Sequence, residues 1–250
     1  MFRRIYSHLD LLSLMVLSFL GLSIFVVMVF SPPVNYEYFL FRKAVVGSIF
    51  GLICIFGLVA VLSPKECSRI FYFRKGKDGL GRQYNYQENH VASNSTSHIL
   101  GLKIVHRHHP SCERFSSHEF RIKENTFCTG CTGLLLGALT SLLGAFIYFS
   151  SNLFIPSFFI GIGLLGVALG LLLPLLNLQR AILRLSLNAF FIFGVFLMLI
   201  GVDSLIQSLF IDLLLILMSI FWLLTRISLS QWNHQRICHE CENKCELKIA

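Results

Sequence analysis

The chain has 250 residues, 55% of them hydrophobic and only 14% charged, with a formal net charge of +8 at pH 7. Average soluble domains carry about 25% charged residues, so this composition excludes an ordinary soluble fold, and its hydrophobicity excludes intrinsic disorder. A basic surplus alone would suit a nucleic-acid binder; where the bases fall argues for membrane topology instead.

Taken from the N-terminus, Leu11 to Phe30 contains no charged residue, and about 20 apolar residues are what a helix needs to cross a ~30 Å hydrocarbon core. The segment follows Arg3 and Arg4, as a secretory signal would. Its apolar run exceeds the ~7–15 residues of a signal core, and no small-x-small cleavage site precedes Pro32-Pro33, so it reads as a retained first helix. Ala44 to Leu62 makes a second uncharged span. After a long polar region, Thr132 to Gln179 holds no charge at all, and Ser150-Ser151-Asn152 with Pro156 divides it into spans at 132–150 and 157–176. Leu185 to Val202 makes a fifth span, and Ser204 to Thr225 a sixth, interrupted only by Asp212.

The expected fold class is therefore an all-α membrane protein of about six transmembrane helices with a small Cys/His metal-binding cytoplasmic loop. Residues 1–63 form the first two helices, 64–131 the Cys/His loop, 132–225 a four-helix transmembrane region and 226–250 a cytoplasmic Cys-rich tail. With the N-terminus in the cytoplasm, 19 of the 21 Lys and Arg residues lie inside; Arg42 and Lys43 alone lie outside. This is the positive-inside arrangement, and it predicts a multi-pass protein of the cell membrane with both termini cytoplasmic. Within the bundle, Gly133-x-x-x-Gly137 and Gly166-x-x-x-Gly170 provide small surfaces for close helix contact. Asp212 stands as the one ionisable residue well inside a span. It reads either as functional or as a residue near the outer interface or hydrogen-bonded to Asn188 or Gln207. With no second intramembrane acid or base, a proton or ion relay has little support.

Six of the eight cysteines fall into two groups, both on the predicted cytoplasmic side. The first spans His106, His108, His109, Cys112 and His118, then Cys128-Thr-Gly-Cys131-Thr-Gly133. Cys-x-x-Cys-x-Gly is the pattern of a metal knuckle, in which a tight turn aims backbone N–H groups at thiolate sulfur. Cys112, Cys128 and Cys131 with His118, or with one of His106, His108 and His109, make a Cys₃His set suited to tetrahedral zinc. The alternating segment Glu119 to Phe127, with a turn at Lys123–Asn125, predicts a short hairpin that carries the knuckle. Zinc would stabilise a region with almost no apolar core of its own. The second group, His234, Cys238, His239, Cys241 and Cys245, also completes a Cys₃His set, as a separate site or as part of a shared one. One or two zinc ions are expected. Neither group contains Cys-x-x-Cys-His, which excludes covalent c-type haem. Cys54 reads as a small apolar helix residue, and Arg69 to Lys77, bases interleaved with aromatics, as a contact with anionic lipid headgroups. Gln87 to Ser97 reads as a mobile polar stretch, and its Asn94-Ser-Thr96 glycosylation pattern would be silent in the cytoplasm.

Cys112-Glu-Arg-Phe-Ser through Phe127-Cys128-Thr-Gly-Cys131-Thr-Gly-Leu-Leu-Leu-Gly137 resembles the signature of a prokaryotic family of predicted integral membrane proteins known only as a domain of unknown function. Members share a Cys, then an Arg-Ser or similar pair, then Cys-x-x-Cys-x-Gly running into a Gly-x-x-x-Gly helix. This chain departs from that pattern with Gly130 where Arg is usual, and adds the His106–His109 cluster and the cysteine-rich tail. The resemblance implies a membrane protein with a motif-bearing loop and no particular reaction.

The functional expectation is a scaffold, sensor or complex subunit in the bilayer, with protein partners at the cytoplasmic face and no nucleic acid. Two alternatives stand beside it: a membrane enzyme using the Cys/His cluster for thiol redox or metal-assisted chemistry, and a metal-ion transporter.

Overall fold

A computed structural model describes residues 8–31, 41–62, 96–99, 102–105, 118–122, 125–151, 154–176 and 178–239. Among them are helices α1 (His8–Phe30) and α2 (Arg42–Leu62), hairpin strands β1 (Thr96–Ile99) with β2 (Leu102–Val105), and β3 (Glu119–Ile122) with β4 (Asn125–Cys128). Helices α3 (Thr129–Ser150), α4 (Phe158–Leu172), α5 (Ala181–Ile206) and α6 (Leu209–His239) follow. Five of these, α1, α2, α3, α5 and α6, are long and apolar enough to cross a membrane.

The expected fourth span is shorter than the sequence suggests. Helix α4 has 15 residues, a rise of about 22 Å, against a ~30 Å hydrocarbon core. Its regular ladder ends one residue before Leu173-Pro174, where the proline has no N–H to continue it, and irregular turns carry the chain on to Leu176.

The distribution of side chains inverts that of a soluble bundle. Phe56, Phe146 and Leu217 stand on the outer surface at 70%, 73% and 60% exposure, whereas Ser18, Ser141, Asn188 and Thr225 are buried. An apolar exterior around a partly polar interior is the arrangement that lipid contact stabilises. Cys54 is buried in the apolar core, as its position in a span suggested.

Helix α5 is the axis of the bundle: every residue from Gly194 to Asp203 is buried. Glycines let its neighbours approach that closely. A Cβ on Gly133 would sit 2.5 Å from the Leu185 carbonyl, and one on Gly137 2.6 Å from that of Ala189, so both glycines of the first motif seat α3 on α5. On the other side, a Cβ on Gly163 would meet the Gly194 carbonyl at 2.5 Å, and one on Gly166 the Phe190 carbonyl at 2.8 Å. These distances leave no room for a methyl group, so the small-x-x-x-small reading of the sequence holds at both helix pairs.

Helix α1 joins through α6. Ser18 donates its hydroxyl to Thr225 Oγ1 at 3.0 Å, Trp222 Nε1 donates to the Ser18 carbonyl at 3.1 Å, and Phe25 meets the indole edge-on. Helices α5 and α6 are separate, but the break falls four to five residues later than expected. Asp203 lies inside α5, and Gln207, with φ of 54°, makes the left-handed turn between them.

Candidate functional site

At one end of the bundle, His118, Cys128 and Cys131 of the first Cys/His group meet the starts of α3 and α5. The predicted hairpin is present: β3 and β4 pair antiparallel with Glu119 opposite Cys128 and Ile122 opposite Asn125, and Phe120 stacks on Phe127 across the pair with ring centroids 5.6 Å apart. Cys128 is both the last residue of β4 and the N-cap of α3, with extended backbone angles, and its side chain makes no capping bond. The strand therefore delivers Cys128, and one turn later Cys131, to the N-terminal end of a membrane-length helix. Cys128 is buried, Cys131 half-buried, and both are thiols rather than a disulfide. A side chain at Gly130 would lie in ordinary contact with Cys128 Sγ at 3.7 Å and Asn188 Nδ2 at 3.9 Å.

His118 is brought to the same end, buried where the hairpin begins. The Thr129 hydroxyl donates to its backbone carbonyl at 3.1 Å, and Arg184 Nη1 lies 2.8 Å from its Nε2. A guanidinium only donates, so Nε2 is the acceptor and the neutral ring carries its proton on Nδ1. Arg184 also donates from Nε to the Leu178 carbonyl at 2.8 Å. Opposite the cysteines, Arg226 from α6 is buried against the Phe191 ring at 5.3 Å, within electrostatic range of Cys131 and Cys128, and its Nε meets no acceptor among the described residues. Arg184 and Arg226, counted from sequence as loop and tail charges, are interior residues at this end, and neither has a carboxylate partner among the described residues.

Of the remaining expected ligands, His106, His108, His109, Cys112, Cys241 and Cys245 lie outside the described residues, as do Arg69–Lys77 and the Asn94-Ser pair. Helix α6 runs through His234 and Cys238, which the helical spacing sets one turn apart on its backbone. Among the described residues, no group of three His, Cys, Asp or Glu side chains is gathered as a metal cage. Thr96 and Ser97, assigned from sequence to a mobile polar stretch, belong to β1, whose pairing with β2 sets Thr96 opposite Val105.

The opposite end holds a buried ionic cluster that the sequence reading missed. Arg42, the first residue of α2, points Nη1 at Asp203 Oδ1 (2.5 Å) and Asp212 Oδ2 (2.8 Å), and Tyr148 on α3 donates its hydroxyl to Asp203 Oδ2 at 2.7 Å. Asp212 is thus one of three ionisable groups gathered on one guanidinium nitrogen, which corrects its reading as an isolated intramembrane acid. Its partners are Arg42 and Asp203 rather than Asn188 or Gln207; Asn188 lies at the other end, donating to the Thr129 carbonyl. The signal was present but masked: Arg42 and Asp203 each border an uncharged run, where a charge reads as the end of a span.

No protein-family model, curated protein or solved structure matches this chain. The fold is a helical bundle with membrane-length apolar helices and two unlike buried polar ends.

Proposed function

We propose that the protein is a multi-pass protein of the cell membrane whose hairpin end, on the cytoplasmic side, is organised by a structural zinc site and serves as a scaffold, sensor or complex subunit. The observation that carries this reading is Arg226, a buried cation within electrostatic range of Cys128 and Cys131 and without a carboxylate partner among the described residues. A buried charge is costly unless paired. Thiolates supply the balance, since three thiolates and one neutral imidazole around a divalent zinc leave a single net negative charge beside the guanidinium. Cys128 and Cys131 would supply two ligands, Cys112 a third, and one of His106, His108 and His109 the fourth. His118, with Nε2 committed to Arg184, is assigned to anchoring the hairpin on α5. The resemblance to the uncharacterised membrane family through the Cys-x-x-Cys-x-Gly motif fits the same picture.

The tail group is assigned to a second, separate site. Cys238 lies 12 residues beyond Arg226 on one helix, about 18 Å along its axis. That separation along α6 favours two sites over one, since two sulfurs on one zinc, each ~2.3 Å from it, lie within about 4 Å of each other. Purified protein is therefore expected to carry about two zinc ions per chain, one lost in Cys128→Ser and the other in Cys241→Ser, by elemental analysis. A single ion removed by either substitution would instead mean a shared site.

A thiol-redox enzyme is the second reading, favoured by one feature: Cys128 and Cys131 sit unbridged at a helix N-terminus beside a cation, where thiolates are stabilised. Metal-free protein with a reversible Cys128–Cys131 disulfide would establish it in place of zinc.

A further inference from the structure

The cluster at the end opposite the hairpin has a charge problem of its own. Arg42, Asp203 and Asp212 are all buried, with side-chain exposures of 9% or less, and as ionised groups they sum to one uncompensated negative charge. Lys43 makes no ion pair with either carboxyl; its ammonium lies over the Tyr148 ring, 5.1 Å from the centroid. Asp203, Asp212, Arg42, Lys43 and Tyr148 are the titratable and charged groups that α2, α3, α5 and α6 present here among the described residues.

The two carboxyls are not equivalent. Asp203 is served on both oxygens, by Arg42 on Oδ1 and by the Tyr148 hydroxyl on Oδ2. Donors on both oxygens suit Asp203 to the ionised form better than Asp212, which has one. Asp212 receives Arg42 on Oδ2, while its Oδ1 is buried and meets no hydrogen-bond donor among the described residues. A buried carboxylate oxygen with no donor is among the most expensive states a polar atom can adopt. A carboxylic acid at that position removes the problem, since the proton sits on the oxygen that lacks a donor and the neighbouring Asp203 carboxylate is in direct interaction with it.

We infer that Asp212 is a proton-binding site: it is held as the neutral acid against the Asp203 carboxylate, which makes the buried unit of Arg42, Asp203 and Asp212 electrically neutral. The proton is then a structural ligand, because Arg42 reaches α5 and α6 together only while the two carboxyls tolerate each other's company. Taking it away leaves two like charges on one guanidinium nitrogen at the meeting of α2, α3, α5 and α6.

Infrared spectroscopy of the purified protein in lipid vesicles reads this directly. At neutral pH, wild type should show a carbonyl stretch of a protonated carboxylic acid, which Asp212→Asn abolishes; the amide is the uncharged isostere of the acid, so this variant should keep the wild-type melting temperature. Absence of the acid band in wild type at neutral pH would overturn the inference, as would its persistence in Asp212→Asn. Stabilisation of wild type by added sodium or potassium, with no acid band, would assign the site to a metal cation and overturn it equally. The wild-type spectrum decides the matter even where the variant does not fold.

Discussion

Arg42→Met is expected to be the most damaging single substitution outside the cysteines. It removes the cation between Asp203 and Asp212, leaving Asp212 without its donor and Asp203 with only the Tyr148 hydroxyl among the described residues. Removing one partner of a buried ion pair costs about 3–5 kcal/mol, a large part of a typical domain's stability. Its backbone position makes the same point: a cation in the first turn of a helix opposes the helix dipole, so Arg42 begins α2 because the acids hold it there. The double variant Arg42→Met with Asp203→Asn should recover part of the loss, since it removes the charge that the first change strands. Thermal unfolding in detergent, followed by size-exclusion chromatography, measures both. Equal melting temperatures for wild type and Arg42→Met would mean that the contact contributes nothing.

Trp222→Ala comes next. Its side chain is completely buried between α1 and α6, and it combines an edge-on contact with Phe25 and a hydrogen bond to the Ser18 carbonyl. Truncating a buried aromatic to alanine costs about 3–5 kcal/mol, because the neighbouring side chains close the resulting void only in part. Among the described residues the other ties of α1 include the Ser18–Thr225 bond and the packing of Gly21 and Leu22, so the loss should appear as detachment of the first helix before the rest melts. Cysteine cross-linking between α1 and α6 would report it. Trp222→Phe, which keeps a ring and loses the N–H, should cost only about 1 kcal/mol. The ratio of the two effects separates packing from hydrogen bonding.

What the sequence makes legible follows from the range of the interactions involved. Apolar runs declare their helices because the bilayer acts on each segment separately, and the Gly133/Gly137 and Gly166/Gly170 pairs declare their packing because a missing Cβ has one obvious use there. The hairpin beneath Cys128 was readable from alternation and a turn, both local. Arg42, Asp203 and Asp212 were not, for two reasons. Their partnership joins positions 161 and 170 residues apart. A charge at the border of an apolar run also looks the same whether it faces water or a counter-ion. Arg184 and Arg226 illustrate the second point again: both enter the orientation sum as loop and tail charges, yet both are buried. His118 was picked out as a ligand by residue type, and only its geometry reveals that a guanidinium engages its Nε2. Helix α4 was overestimated because hydropathy continues through Leu175 and Leu176, whereas the regular backbone ladder stops short of Pro174.

The central claim is that Cys128 and Cys131 hold a metal ion at the hairpin end, balanced by Arg226. X-ray absorption at the zinc edge of protein purified without added metal tests it most directly. The expected spectrum has a sulfur shell at about 2.3 Å with a minor nitrogen contribution, and loses part of its sulfur amplitude in Cys128→Ser. A protein with no zinc edge, or with zinc surrounded only by oxygen and nitrogen, would contradict the account.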